Sequence, residues 1–444
     1  MLKTFKLGGV HPPEKKYAQD SPIESFPLPK QVIIPINQNL GAPSVPQVKK
    51  GDEVKAGQLL AKGEAFISSN VHSSVSGKIF KIDQSIDSTG YKRMSIIINV
   101  EGDEWVDSVD RSDDLRPEVT MDQKEIINKV HEMGVVGMGG ATFPSHVKLM
   151  VPKGKTAEYL LINGVECEPY LTADHRLMLE KGKEILIGTK ILMKALGVSK
   201  AVVGIENNKP DAISHMKDLA GEFDGISVQP LKVKYPQGGE KQLIKAVVNR
   251  EVPSGKLPIE VGCVVHNVGT AFAVYEAVQK NKPLVERVVT VTGDPVKKPS
   301  NFLVRIGTPI KELLEKAEAD LENTGKIVSG GPMMGKALNS TDVPVVKGTS
   351  GILLFRNEQA KRVDLKPCIR CGRCILSCPM GLEPIYLAQV SEKGDWEKAE
   401  NEMVMDCIEC GSCQYTCPSG RPLLDYVRLG KSTVGQIIRK RGKN

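Results

Sequence analysis

The apolar positions of this 444-residue chain change their period several times. Residues 1–28 sustain no period and are rich in proline and charge (Pro12, Pro13, Pro22, Pro27), which predicts an extended arm laid over another domain. From 29 to 105, apolar residues come in short strand-length runs between glycine turns, at 32–36, 51–60 and 71–79. A charged stretch follows. From 119 to 284, helix-length runs (124–132, 183–196) alternate with strand-length ones (159–162, 201–205), which predicts a sheet covered by helices. From 285 to 345 strands return at 288–293 and 326–331, with one helix between them at 310–322, as in a small β-grasp domain. Residues 355–430 read as short helices linked by cysteine loops, and 431–444 as a basic tail, a solvated end or an interaction patch.

Composition narrows the class. The net charge is only +7 and aromatics make up 5% of residues, poor material for stacking on nucleic acid. No apolar run approaches the ~18 residues of a membrane span, and the first residues lack the apolar core of a signal peptide. Cys167 and Cys263 lie far apart, so no disulfide framework is suggested.

The other eight cysteines write one phrase twice. Cys368, Cys371, Cys374 and Cys378-Pro379 are followed by Cys407, Cys410, Cys413 and Cys417-Pro418. Each copy is C-x2-C-x2-C-x3-C-P, the bacterial ferredoxin spacing in which three thiolates hold one cubane and the fourth crosses to the other. The expected ligand sets are Cys368, Cys371, Cys374 and Cys417 for one [4Fe–4S] cluster, and Cys407, Cys410, Cys413 and Cys378 for the second. Structural zinc also uses C-x2-C pairs, but it needs two pairs across a longer loop and has no use for a third cysteine two residues on.

A second phrase lies at 134–148, GVVGMGGATFPSHVK, between two helix-length runs. Glycines opening a helix let backbone N–H groups approach an anionic phosphate. The strand after it ends in Asn163-Gly164-Val165-Glu166-Cys167-Glu168-Pro169, presenting an amide and two carboxylates where open α/β sheets bind ligands. Cys167 has no histidine nearby and reads as a packed small residue. The seven histidines show no metal-ligand spacing, and Ser254-Gly255-Lys256 lacks the upstream glycine of a phosphate-binding loop.

These phrases together resemble a known family. G-x-G-G-A-x-F-P-x-x-x-K followed by N-x-x-E-x-E-P is similar to the NADH-oxidising flavoprotein subunit of respiratory complex I. With K-x-G-D-x-V-x-x-G-Q-x-L and V-x-G-x-I in front and the two cubane motifs behind, the chain more specifically resembles RnfC, the C component of the Rnf electron-transport complex. The front phrases resemble biotinyl and lipoyl carriers, but the hairpin tip reads Ser69-Asn70-Val71-His72 without the modifiable lysine, which leaves a scaffold or docking role.

The resemblance implies an α/β multidomain protein. Its parts would be a carrier-like β-barrel (barrel-sandwich hybrid), an α/β FMN/NADH-binding domain, a β-grasp domain and a helical dicluster ferredoxin-like domain. It implies FMN and two [4Fe–4S] clusters as cofactors, NAD(H) as substrate, and the other Rnf subunits as partners, on the cytoplasmic side of the membrane; the alternatives are a soluble RnfC-like flavin/iron–sulfur reductase feeding another enzyme, of the proline or cobalamin reductase type, and a cluster-bearing scaffold without nicotinamide binding. Carried over residue by residue, Gly137, Gly139 and Gly140 would let FMN and NADH approach the backbone, and Phe143 would pack on the dinucleotide. Lys148 would approach the flavin's polar edge or phosphate. Asn163 and Glu166 would contact the flavin and Glu168 the nicotinamide, with further flavin contacts at Gly239, Glu240, Asn267 and Thr270. Met138, Thr142 and Val165 depart from the complex I pattern, and no aromatic falls between Tyr235 and Phe272 to stack on adenine.

Overall fold

The computed structural model describes residues 2–442. Strand Gln31–Pro35 alternates buried and half-exposed positions, the pattern of a sheet with one face on a core. It joins Lys92–Gly102, Ser76–Ile86 and Glu53–Val54 in one sheet, while Val45–Pro46, Leu59–Lys62 and Val71–His72 form a second. The two enclose a small barrel core that includes Val32, Ile34, Leu60, Ile79, Ile96 and Ile98. The unmodifiable hairpin tip is docked rather than free. Asn70 donates to the Glu132 carbonyl (3.1 Å), and the buried Lys347 ammonium spans the Asn70 and Gly134 carbonyls at 2.7 Å each.

The central domain is a four-stranded parallel sheet in the order Ile226–Leu231, Ala201–Glu206, Tyr159–Asn163, Cys263–Asn267. The chain starts at Tyr159–Asn163, steps outward twice, then returns to the opposite side of its first strand. That reversal opens a crevice at the carboxyl ends of Tyr159–Asn163 and Cys263–Asn267, where doubly wound sheets bind ligands. Helix Gly182–Leu196 covers one face and packs on helix Val268–Gln279. Their closest approach is at Gly188, where an added Cβ would stand 1.9 Å from the Ala271 carbonyl oxygen.

The third sheet has six strands. Glu286–Gly293 lies inside it, antiparallel to Ser300–Arg305 and parallel to Gly351–Arg356. The arm contributes an edge strand, Ile23–Ser25, parallel to Ser300–Arg305. The sheet thus runs past residue 345, because the apolar run 351–355 is a buried inner strand. The helix expected over 310–322 stops at Lys316, and Glu318 soon after takes a left-handed φ of 51°.

The C-terminal part is a bundle of short helices closed by Leu423–Arg441 around Leu387, Ala399, Val427 and Val434. The expected basic tail is therefore a correction: 431–441 is the second half of that helix, with Val434 fully buried and Arg441 paired to Glu400 at 2.8 Å. Lys443 and Asn444 lie outside the described residues. Among the described residues no helix is long and apolar enough to cross a membrane.

Gly188→Ala tests the packing that positions the crevice. Because the obstructing atom is backbone, the two helices must part, and overpacking costs about 1–3 kcal/mol. A lower thermal midpoint with native iron content is expected; an unchanged midpoint would show that the helices are not in this contact.

Candidate flavin crevice and paired cysteine loops

Asn163 and Asn267 are register partners at the ends of adjacent parallel strands, side by side at the mouth of the crevice. Asn267 also caps helix Val268–Gln279, its side-chain oxygen accepting from the Gly269 amide at 2.8 Å. Its amide nitrogen donates to Asp174 (2.6 Å) and to the Asn163 carbonyl (3.3 Å). Asn163 donates to the Gly238 carbonyl (2.8 Å), which brings the loop carrying Gly239 and Glu240 over the same crevice.

The glycine loop enters from the other side and is pinned at its ends. Gly137 N–H donates to the Phe143 carbonyl (2.8 Å) and Met138 N–H to the Thr270 hydroxyl (2.9 Å). Between the pins, Gly139, Gly140 and Ala141 are exposed, and among the described residues their amides donate to no protein acceptor. An added Cβ at Gly139 would lie 3.3 Å from Asn267, while Gly140, at φ 126°, has open space around it. A cradle of free N–H groups without side chains fits the phosphate or ring edge of a flavin nucleotide. The helix that follows, Ser145–Leu149, is only one turn, so the loop amides rather than a helix dipole supply the attraction. Lys148 reaches back from it to Glu240 (2.8 Å) and the Val265 carbonyl (3.0 Å).

The two glutamates are already engaged. Glu166, at φ 45°, caps helix Ala173–Glu180 by accepting from the Asp174 and His175 amides (2.8 and 3.2 Å). Glu168 accepts from the Met333 and Met334 amides (3.1 and 2.8 Å), fastening the crevice to a loop of the third sheet. Burial pushes Glu168 up to about 7 despite those two donors. Asp174 is also pushed up to about 7, by burial and then by the Glu166 charge.

Sequence reasoning missed Asp174, whose signal was a carboxylate in the first turn of the next helix. It also missed Lys16 of the arm, whose ammonium binds the carbonyls of Glu166, Glu168 and Leu171 (2.9, 2.9 and 2.7 Å). Lys16 is about 150 residues away, and no local pattern announces it. Cys167 packs as expected, its sulfur accepting from the Gly238 amide at 3.3 Å, with burial pushing the thiol far up.

The cysteine loops repeat in space as in sequence. Arg370 and Glu409 share φ near 57°, Gly372 and Gly411 are both left-handed, and the Arg370 and Glu409 amides point at Cys368 and Cys407 sulfurs (3.4 and 3.3 Å). Cys378, Cys407, Cys410 and Cys413 line one small apolar cavity, partly open to solvent. Cys407, Cys410 and Cys413 all feel the charge of Cys378, and Cys374 that of Cys417, so each fourth cysteine stands by the other loop. Among the described residues no three His, Cys, Asp or Glu side chains converge tightly enough for a single ion. The sulfurs ring a space, which suits a polyatomic cluster. Burial raises Cys407 to about 11, so at neutral pH this thiol ionises only against bound metal.

The second loop abuts the crevice. Tyr235 donates to the Cys410 carbonyl (2.8 Å), Gln242 to the Pro379 carbonyl (3.3 Å), and an added Cβ at Gly411 would meet the Met333 carbonyl at 2.9 Å.

Comparison with known proteins agrees domain by domain. Residues 3–103 match the RnfC barrel sandwich hybrid domain, 130–276 the Nuo51 FMN-binding domain, 288–337 the SLBB domain and 360–418 a 4Fe-4S dicluster domain. The chain is 48% identical to the C component of the proton-translocating ferredoxin:NAD(+) oxidoreductase complex of Clostridium ljungdahlii, over 97% of this chain and 94% of that one. It is 44% identical to the C component of the Na(+)-translocating complex of Acetobacterium woodii, over 97% of each. The chain belongs to the RnfC family of these ion-translocating oxidoreductase complexes. A fold likeness reaches an NAD+-reducing [NiFe]-hydrogenase at a TM-score of 0.51 and 16% identity, covering 70% of this RnfC chain and 63% of the hydrogenase chain.

Two expectations follow for this RnfC family member. Cys378→Ala should deplete the cluster of the second loop, read by iron analysis and EPR; loss confined to the first loop's cluster would contradict the crossing. Glu168 also makes stability pH-dependent. Its folded pKa is raised, so its contribution is full below its unfolded value near 4.5 and is lost as pH rises through about 7. The thermal midpoint of Glu168→Gln relative to that of the wild type should therefore rise from pH 5 to 8, because the variant lacks this one contribution. A difference that stays constant over that range would assign the contribution elsewhere.

Proposed function

We propose that this chain is the peripheral NAD(H)-handling subunit of an ion-translocating ferredoxin:NAD oxidoreductase on the cytoplasmic side of the membrane. It passes electrons between NADH, FMN and two [4Fe–4S] clusters. The observation that carries this reading is the contact between crevice and cavity: Tyr235 and Gln242 touch the cysteine loops, and Glu168 binds the Met333–Met334 segment against which Gly411 packs. When bound, flavin exchanges two electrons as hydride with NAD(H) and single electrons with iron–sulfur clusters.

The protein's own part is binding and orientation. Gly137, Gly139 and Gly140 give the nucleotide access to backbone amides, with Phe143 closing the loop. Asn163, Asn267 and Thr270 fix the crevice mouth. Lys148, held between Glu240 and the Val265 carbonyl, offers a cation to the phosphate or ring, and Gly239 keeps the facing loop free of side chain. Glu166 acts through the helix it caps, and Glu168 borders the nicotinamide while holding the third sheet in place. Cys368, Cys371, Cys374 and Cys417 hold one cluster, and Cys407, Cys410, Cys413 and Cys378 the other. The remaining subunits of the complex supply the membrane span.

Anaerobically purified protein should hold one acid-releasable FMN and about eight irons, four for each cubane. NADH should bleach the flavin within the mixing experiment. Flavin retained in the acid pellet, or flavin absorbance indifferent to NADH, would reject the proposal.

A further inference from the structure

Thr142 joins the glycine loop to the barrel domain, whose part in the site no motif announced. The Leu40 amide donates to the Thr142 carbonyl (3.1 Å), and the Ala42 amide to the Ile67 carbonyl (2.9 Å). Between them Gly41, at φ 127°, is obligatory: an added Cβ would stand 2.2 Å from the Ile67 oxygen. The hairpin that carries Ile67 is closed on itself, since the Gly63 amide donates to the Asn70 side chain (2.9 Å) and the Ser68 hydroxyl to the Ala65 carbonyl. The Phe66 carbonyl faces the buried ring of His146, three residues beyond Phe143. Two barrel loops, 38–42 and 63–68, thus wall the glycine loop.

This wall shows solvent what a docked domain edge ordinarily hides. Leu40, Phe66 and Ile67 are 58, 68 and 37% exposed. Alongside lie the exposed residues Gly139, Gly140 and Ala141, whose amides donate to no protein acceptor among the described residues. A fixed, exposed phenylalanine beside free amides is what a nucleotide requires, a flat apolar face for the base and donors for the phosphate. The chain has no aromatic between Tyr235 and Phe272 to stack on adenine. Of FMN and NAD(H), only the dinucleotide carries a second base that must reach beyond the crevice.

We propose that the barrel domain completes the dinucleotide site, with Phe66, flanked by Leu40 and Ile67, stacking on the adenine of NAD(H). The inference rests on the NAD(H) reading above and adds the residue that grips the half of the coenzyme remote from the hydride. Phe66 is a positioning residue. No bond forms or breaks at this end, so a nicotinamide without adenosine should bypass it.

The test uses the anaerobically purified holoprotein and, as probe, ADP-ribose, which carries the adenosine and pyrophosphate without a redox-active ring. Calorimetry should show that Phe66→Ala weakens ADP-ribose about tenfold, the scale of one lost stacking contact, with FMN and iron content unchanged. In stopped flow, the NADH concentration that half-saturates flavin bleaching should rise by the same factor, and the limiting rate should not fall. Reduced nicotinamide mononucleotide should bleach the flavin of variant and wild type alike. Phe66→Trp should restore the affinity for ADP-ribose and NADH. Equal affinity of Phe66→Ala and wild type for ADP-ribose, no binding by the wild type, or no rescue by tryptophan overturns the inference. So does an equal loss for NADH and the reduced mononucleotide, which is the mark of a displaced glycine loop. A wild type that loses ADP-ribose on Phe66→Ala, yet whose flavin NADH does not bleach, would strike the proposed function and leave the adenosine site standing.

Discussion

Electron transfer between a flavin and a cubane depends on proximity, and proximity here is set by a seam of backbone contacts. Three polypeptide segments distant in sequence meet at the back of the crevice: the arm, the loop around Tyr235, and the Met333–Met334 turn. Lys16 ties down the strand-end loop from one side through three carbonyls, and Glu168 ties it to the third sheet from the other. The arm continues to the cluster domain, where Gly9 donates to the Ser377 carbonyl (2.9 Å) and Gly8 leaves no room for a side chain against Cys378. This seam holds the crevice, the third sheet and the second cysteine loop together.

The seam carries an electrostatic cost. Lys16, Glu168 and Asp174 are all half-buried, and that partial burial disfavours the charged form of each. Backbone groups offset that cost for Lys16 and Glu168, which are satisfied by carbonyls and amides rather than by each other. Asp174 leans on Asn267 and on the buried Arg287, which it helps to keep charged. Such arrangements are rigid because a displaced partner leaves a buried charge unsatisfied. Rigidity is useful where the distance between two cofactors must not drift.

What the chain revealed in advance follows from how local each signal is. The cubane phrase and its crossing could be read because three ligands lie within seven residues of one another. The glycine loop and the strand-end asparagine were legible for the same reason. The engagement of Glu166 and Glu168 was not, since both look like free carboxylates until a helix start and a distant turn are brought to them. Lys16 sits in an arm without period. Gly351–Arg356 was passed over because a buried inner strand carries no alternation, and 431–441 because its terminal arginines and lysines hide the Val434 that anchors the helix.

Anomalous diffraction at the iron edge, from crystals of the anaerobic holoprotein, tests this arrangement at its centre. Two iron peaks are expected. One would be ringed by Cys378, Cys407, Cys410 and Cys413 behind Tyr235 and the flavin crevice, the other by Cys368, Cys371, Cys374 and Cys417 at the exposed first loop. Iron held by uncrossed sets of four, or the Cys368 loop lying against the flavin, would contradict it.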